Sequence, residues 1–166
     1  TVVALNQGRV LPQGPAADVL SDPVAVPALD PGTAGAVVAA TVMAQDPDGL
    51  TRLAAAGGLL FLPHVKAPRG AQLRLRIEAQ DVMIARDRPK GLSALNLIAA
   101  EILSLHPAQS PGALVRLRAG DAVILASITQ RSVAALDLQP GQQVYAVIKS
   151  LSVAAGNIGT AQPGPP

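Results

Sequence analysis

The sequence repeats itself, and this repeat restricts the fold to two similar halves. Three pairs of segments match in order: VVAATVM (37–43) with LIAAEIL (97–103), AGG (56–58) with AGD (119–121), and RGAQLRLRIEAQDVMIA (69–85) with PGQQVYAVIKSLSVAA (140–155). Each copy reads as a long first strand, a hairpin, a connector and a closing pair of strands. Short antiparallel strands of this number usually close into a small barrel, because closure removes exposed edges. We therefore expect an all-β protein built from two small barrels in tandem.

The rest of the chain is organised around these two barrels. Residues 1–25 read as a strand, a turn at NQG, a second strand and a short helix PAADVLSD, and residues 26–35 read as a linker. Residues 36–90 and 91–155 are then the first and the second OB-like barrel. The tail, residues 156–166, has too few apolar groups to repay the entropy of ordering, so we expect it to be disordered.

Composition excludes several classes of function. The chain has no cysteine, which excludes disulfides, thiolate metal sites and thiol catalysis. The formal net charge is only +2 and the arginines are scattered, so the charge predicts no nucleic-acid or membrane-surface partner. Phe61 and Tyr145 are the only aromatic residues, too few for stacking the bases of a single strand. No apolar run approaches the ~20 residues of a membrane-spanning helix, so we expect no membrane insertion.

Catalytic motifs are also missing. No Gly-x-x-x-x-Gly-Lys-Ser/Thr loop occurs, because GTAGAVV and AAAGGLLF lack the lysine. We therefore expect that this chain alone is not an enzyme and does not hydrolyse ATP. His64 and His106 each stand next to a proline and read as surface loop residues rather than ligands, and no cluster of carboxylates suggests a divalent metal.

A lysine in the last strand of the second copy is the most unusual residue of the repeat. If the strand alternates regularly, one face carries Tyr145, Val147, Lys149 and Leu151. The matching face of the first copy is an ordinary polar face that carries Arg74, Arg76, Glu78 and Gln80. We therefore expect the first barrel to face water here and the second to be covered. A covered ammonium group requires an opposite charge.

Two interpretations of this lysine remain open. Glu101 and Asp137 are the candidate acidic partners, and the sequence excludes neither. Small polar residues also occur in the second copy, and with one cation they form the donor-rich, acceptor-poor set that a small oxyanion requires; they are Ser93, Asn96, Thr129, Ser132 and Ser150. The alternative is a lysine that reaches solvent and hydroxyls that cap turns, with Thr129 or Ser132 capping one helical turn.

A resemblance to a known family connects these residues. LSALNLIAAEIL and ILASITQRSVAALDLQPGQQVYAVIKSLSVA resemble a Mop (molbindin) domain, the molybdate- or tungstate-binding OB-like barrel, over roughly residues 91–155. The family pattern is Ser-Ala-Arg-Asn, Ile-Thr-x-x-Ser, a Leu-x-Leu-x-x-Gly turn and Ile-Lys-Ser/Ala; Leu95 stands where the family often has Arg. Residues 36–90 resemble the preceding half of the TOBE region of ABC importers. ALNQGRVLPQGPAADVLSDP resembles the end of an ABC ATPase domain.

In this order, the three resemblances imply the regulatory C-terminal region of the ATP-binding subunit of a molybdate importer. The implied ligand is molybdate or tungstate, while ATP and Mg belong to the nucleotide-binding domain outside this chain. The implied site lies between two subunits of a homodimer joined through the second barrel. One chain would supply Ser93, Lys149 and Ser150, and its neighbour Thr129 and Ser132.

The resemblance also implies the setting and two alternatives. The parent protein would hydrolyse ATP and work with membrane subunits at the inner, cytoplasmic face of a bacterial cell membrane. One alternative is a structural dimerisation barrel without ion binding, which the replacement at Leu95 allows. The other is a soluble molybdate store, and the ATPase-like segment at residues 1–25 argues against it.

Overall fold

The N-terminal segment forms a β-hairpin. The structure, a computed structural model, describes residues 2–6, 9–14, 34–108, 111–150 and 158–160. Strands β1 (Val2–Asn6) and β2 (Arg9–Gly14) pair antiparallel, which confirms the two predicted strands; residues 7 and 8 of the predicted turn lie outside the described residues. The short helix predicted after this hairpin lies outside the described residues.

The first copy of the repeat forms a five-stranded antiparallel sheet. Its strands lie in the order β12-β6-β3-β4-β5; they are β3 (Gly35–Gln45), β4 (Leu50–Ala55), β5 (Gly58–Pro63), β6 (Gln72–Glu78) and β12 (Ile158–Thr160). Burial alternates along β3, where Val38, Ala40 and Val42 point into the core. This period of two is the pattern that predicted a half-buried strand.

The second copy forms a five-stranded sheet of the same kind. Its strands lie in the order β10-β9-β8-β11-β7; they are β7 (Val82–Ala85), β8 (Asn96–Pro107), β9 (Gly112–Ala119), β10 (Ala122–Thr129) and β11 (Gln143–Ile148). A 3-10 turn (Ala79–Asp81) joins β6 to β7, and a short helix α1 (Gln130–Ala135) follows β10.

The two sheets exchange their closing strands. β7 follows β6 along the chain but pairs with β11, with Val82 opposite Ile148. β12 follows β11 but pairs with β6, with Ile158 opposite Leu75. The second sheet therefore takes its fifth strand from the first copy, and the first sheet takes its fifth strand from the segment that follows the second copy. The division of the chain at residues 90 and 91 stays a prediction, and the exchange means that hydrogen bonds cross it in both directions.

One part of the predicted tail is ordered. We expected residues 156–166 to be disordered, but Ile158–Thr160 form β12, so this prediction is wrong for these three residues. The reason is tertiary: the backbone pairs with the otherwise open edge of β6, and Ile158 packs against the core. The rest of the tail lies outside the described residues.

The larger of two clusters of buried apolar residues joins the two sheets. Its largest fully buried side chains come from both copies; they include Leu53, Leu60, Leu62, Leu75, Ile77, Ile102, Leu117, Ile124 and Ile148. Each such side chain contributes about 1.5–3 kcal/mol by leaving water. The two halves thus share a hydrophobic core and are not separate, independently packed domains.

Matching details of the two ladders support the duplication. Both first hairpins have a register irregularity at the same place, between Val42 and Ala44 in the first copy and between Ile102 and Ser104 in the second. The turns that follow lie against each other, because a Cβ on Gly120 would lie 2.8 Å from the Cα of Gly57.

Asn96 fastens the second sheet to the edge of the first. Its side chain is fully buried; Oδ1 accepts a hydrogen bond from Phe61 N at 2.7 Å and Nδ2 donates one to Phe61 O at 3.2 Å. β5 is the edge strand of its sheet, so the Asn96 carboxamide provides the hydrogen-bond partners that a neighbouring strand would otherwise give to the backbone of Phe61. Asn96 belonged to the predicted oxyanion cluster, and the structure gives its side chain these structural partners instead.

Candidate functional site

Lys149 lies directly after the last residue of β11, and its side chain is exposed. Both predicted acidic partners are engaged elsewhere. Glu101 forms an ion pair with Arg118 at 2.6 Å, and Asp137 Oδ1 accepts a hydrogen bond from Gln139 Nε2 at 3.2 Å. Within the described part of the chain, Lys149 therefore has no carboxylate partner.

Ser93 and Lys149 line the same cavity, which has a volume of about 430 Å³. Its other walls are apolar; they are Met83, Ile84, Ala85, Pro89, Leu92, Ala94 and Val147. A hydroxyl and an ammonium group thus stand in a site where no acidic side chain is present among the described residues that line it. Such a site favours an anion over a cation.

The loop between β7 and β8 positions Ser93. Ala94 is buried and Asn96 is fixed to Phe61, so these two residues anchor the end of the loop. Ser93 and Leu95, which alternate with them, are exposed. The loop also covers part of the outer face of β11, where Val147 is buried and lines the cavity together with Leu92.

The mouth of this cavity is unusually apolar for a protein surface. Met83 is 50% exposed and Leu92 is 42% exposed, and both line the cavity. Two large apolar side chains exposed on one cavity favour burial against a further surface. Leu95 is 52% exposed but is not among the residues that line the cavity. On the matching face of the first copy, Arg74 and Gln80 are exposed whereas Arg76 and Glu78 are half-buried, so the prediction that this face is open to water is confirmed for two of its four residues.

Ser150 follows Lys149 and carries an unusual hydroxyl. Its Oγ is buried and has no hydrogen-bond partner among the residues that the structure describes. A buried hydroxyl left without a partner costs about 1–3 kcal/mol. A ligand that accepted its hydrogen bond would remove this cost.

Thr129 and Ser132 form a separate pair at the start of α1. Thr129 Oγ1 accepts a hydrogen bond from Ser132 N at 3.0 Å, and the two hydroxyl oxygens are 2.8 Å apart. Thr129 is therefore the N-cap of the helix, as one of the two interpretations predicted. Of the two hydroxyl protons, one is used between the oxygens and the other is free to be donated.

The structure does not bring all five predicted residues together in one chain. Ile148, next to Lys149, pairs with Asn96 at the start of β8. Thr129 pairs with Gly112 on β9. The next residue of β9, Ala113, pairs with Pro107 at the other end of β8. The Lys149 group and the Thr129 pair thus lie toward opposite ends of a strand of 12 residues.

The two histidines differ from each other. His64 is exposed and follows β5, as expected of a surface loop residue. The prediction is wrong for His106, which lies within β8, is half-buried and has Nε2 2.9 Å from Ser104 Oγ. The neighbouring proline misled the prediction, because Pro107 is the last residue of the strand, a position that proline tolerates.

Two further features concern metals and membranes. Within the described ranges, no group of three or more His, Asp or Glu side chains could hold a metal ion. Among those same residues, no helix has the length and apolar character needed to cross a membrane.

Comparisons with known proteins agree with this architecture. Residues 92–155 match the TOBE domain family. The chain is 39% identical over 163 residues to the molybdenum import ATP-binding protein ModC of Mesorhizobium japonicum, which covers 98% of this chain and 44% of that protein. It is 41% identical over 155 residues to ModC of Rhizobium meliloti, covering 92% and 43%. The chain thus spans less than half the length of these relatives.

A solved structure shares the fold. The molybdate-bound form of the cytoplasmic molybdate-binding protein ModG superimposes with a TM-score of 0.66 at 23% sequence identity, covering 75% of this chain and 95% of that one. This similarity confirms the predicted all-β, OB-like architecture.

Proposed function

We propose that this chain, whose residues 92–155 match the TOBE domain family and which is similar to molybdenum import ATP-binding proteins, is a regulatory domain that binds molybdate or tungstate and joins two copies of such a protein. The chain itself does not perform ATP hydrolysis in this proposal. ATP and Mg bind in a nucleotide-binding domain of the whole protein, which acts with membrane subunits at the cytoplasmic face of the bacterial membrane.

The cavity shared by Ser93 and Lys149 carries the proposal. Molybdate is a tetrahedral dianion that has only acceptors, and Ser93 and Lys149, the polar side chains among the described lining residues, can both donate hydrogen bonds to it. Ser150 follows Lys149 along the chain and has a buried hydroxyl without a partner among the described residues; it does not line the cavity in the single chain, and in this proposal it turns its hydroxyl toward the bound ion. Hydrogen bonds that involve an ion are about twice as strong as neutral ones. The set is therefore suited to a small oxyanion.

A second copy of the chain completes the site in this proposal. Thr129 and Ser132 lie toward the far end of β8, so a neighbouring chain supplies them to the cavity around Lys149. The exposed side chains of Met83 and Leu92, which line the cavity, supply an apolar rim that the neighbour covers.

Ion binding and assembly are coupled by this arrangement. Covering Lys149 removes an ammonium group from water, which is costly unless an opposite charge enters with it. The dianion supplies that charge, so the closed pair is stable mainly when it is loaded. A ligand shifts an equilibrium only by its difference in affinity between two states. Abundant molybdate in the cell therefore favours the closed arrangement and opposes further import.

A purely structural dimerisation barrel is the second candidate. Leu95 stands beside Ser93, is 52% exposed, and provides no cation where the Mop family often has Arg. Lys149 is also exposed in the single chain, as a lysine that reaches solvent would be. A dimer in sedimentation that shows no thermal shift with molybdate would favour this candidate. Homology to import ATP-binding proteins argues against a storage protein.

Titration calorimetry with molybdate tests the proposal. Wild type is expected to give saturable binding heats, and Lys149→Ala is expected to give none. Lys90→Ala is the matched control, because Lys90 is an exposed lysine of the same loop region and does not line the cavity. Unchanged heats in Lys149→Ala would remove the ion site.

A further inference from the structure

Both halves of the molecule carry an arginine at the same step of the ladder. Directly after the shared register irregularity, Arg52 lies opposite Ala44 in the first half and Arg116 lies opposite Ser104 in the second. The same alignment places His106 where the first half has Asp46, two residues beyond Ala44.

In the first half this arginine has a carboxylate partner. Arg52 Nη2 donates to Asp46 Oδ1 at 2.6 Å, and Arg52 Nε donates to Oδ2 at 3.2 Å. This two-bond arrangement is the strongest that guanidinium and carboxylate can form. The hydrogen bond and charge of Asp46 raise the pKa of Arg52 above its usual value.

In the second half, His106 stands in place of the Asp46 carboxylate, and the hydrogen bonds of Arg116 are not all satisfied. Arg116 Nε is buried and has no hydrogen-bond partner among the described residues. The nearest acid of the same ladder, Glu101, is held by Arg118 at 2.6 Å. A buried N–H group without an acceptor lowers the stability of the folded chain, so an acceptor that bound Arg116 Nε would be stabilising.

Two further polar groups lie on the same face. Ser104 is directly opposite Arg116, and directly opposite residues of an antiparallel pair project to one side with their Cβ atoms about 5 Å apart. His106 lies two residues along, on that same side, with Nε2 2.9 Å from Ser104 Oγ. A guanidinium, a hydroxyl and an imidazole thus lie on one face of the ladder, and none of them supplies the carboxylate that Asp46 supplies in the first half.

We propose that Arg116, Ser104 and His106 bind a small anion with two accepting oxygens, a carboxylate or a phosphate-type oxyanion from solution. The anion takes the place of the Asp46 carboxylate and completes the hydrogen bonds of Arg116. This site shares no residue with the cavity around Lys149, so it stands or fails independently of the proposed function.

Thermal unfolding in inorganic phosphate, with sodium chloride adjusted to constant ionic strength, tests this site. Wild type is expected to show a saturable rise in Tm of about 3–6 °C at tenfold excess over half-saturation. Arg116→Gln is expected to lose this rise. Arg118→Gln is the matched control, because it removes a guanidinium on the same strand that already has Glu101 as its partner, and it is expected to keep the rise.

His106→Asp tests the comparison between the halves and does not depend on the folding of Arg116→Gln. It restores the carboxylate of the first half, so Tm is expected to rise without phosphate and the response to phosphate is expected to disappear. Lys149→Ala is expected to keep the phosphate response, which separates this site from the molybdate site.

Three results would overturn this inference. One is a wild-type Tm that responds to phosphate no more than to chloride. Another is a phosphate response that persists in His106→Asp. The third is an Arg116→Gln variant that loses self-association in sedimentation while wild type ignores phosphate, because the partner would then be a carboxylate of a second chain.

Discussion

Gly120→Ala tests the contact between the two hairpin turns, where Gly120 lies against Gly57. Gly120 has φ +60°, and a Cβ there would lie 2.8 Å from both Cα and N of Gly57. The left-handed conformation costs an alanine about 1–2 kcal/mol. Displacing a packed backbone costs about a further 1–3 kcal/mol. We therefore expect the free energy of unfolding to fall by about 2–5 kcal/mol, or at least about 4 °C in Tm for a chain of this size.

Gly70→Ala is the matched control for this experiment. Gly70 has φ +86°, and a Cβ there would meet nothing within 4 Å. This variant is expected to show only the conformational cost of about 1–2 kcal/mol. Urea denaturation of both variants measures the difference, which reports on the contact with Gly57 alone. Equal losses in the two variants would show that the turns do not touch.

Three other substitutions test separate parts of the structure. Asn96→Ala leaves the backbone N–H and C=O of Phe61 unpaired, so the free energy of unfolding in urea is expected to fall by about 2–5 kcal/mol. A fall below about 1 kcal/mol would contradict a stabilising role for the hydrogen bonds between Asn96 and Phe61. Thr129→Ala removes the N-cap of α1 and is expected to cost about 1 kcal/mol, whereas no change would mean that the cap has no effect. Burial, and then the charge of Glu78, raise the pKa of Asp81, so its carboxylate opposes folding above that raised pKa. Asp81→Asn should therefore be stabilising at neutral pH, with the gain disappearing below the ordinary aspartate pKa; a gain independent of pH would refute this.

Local pattern and internal comparison were sufficient to predict much of the fold. Alternating apolar residues predicted the strands, and the repeat predicted two similar sheets. The cap at Thr129 was one of the two interpretations because a hydroxyl before a helical turn pairs locally with the backbone. The strands 82–85 and 158–160 show the limit of this reasoning. Their pairing partners lie far along the chain. The alternation of apolar and polar residues shows that a segment is a strand, but it does not show which strand lies beside it.

The site shows the same limit at the level of single side chains. Ser93, Asn96 and Lys149 were grouped because they are polar residues of the second copy. In the structure, Ser93 and Lys149 line one cavity, whereas the side chain of Asn96 forms hydrogen bonds with the backbone of Phe61. Arg116 was missed because its importance depends on what stands opposite it. A comparison of Asp46 with His106 between the copies would have revealed it.

Mixing two defective variants tests most directly whether the ion lies between two chains. Lys149→Ala removes the ammonium group, and Ser132→Ala removes one hydroxyl while keeping the backbone N–H that caps with Thr129. Neither variant alone is expected to bind molybdate in calorimetry. In an equal mixture that has exchanged subunits, half of the pairs contain one intact site, so binding is expected at about a quarter of the wild-type stoichiometry. A mixture that binds no molybdate, when wild type does, would contradict a site shared between chains.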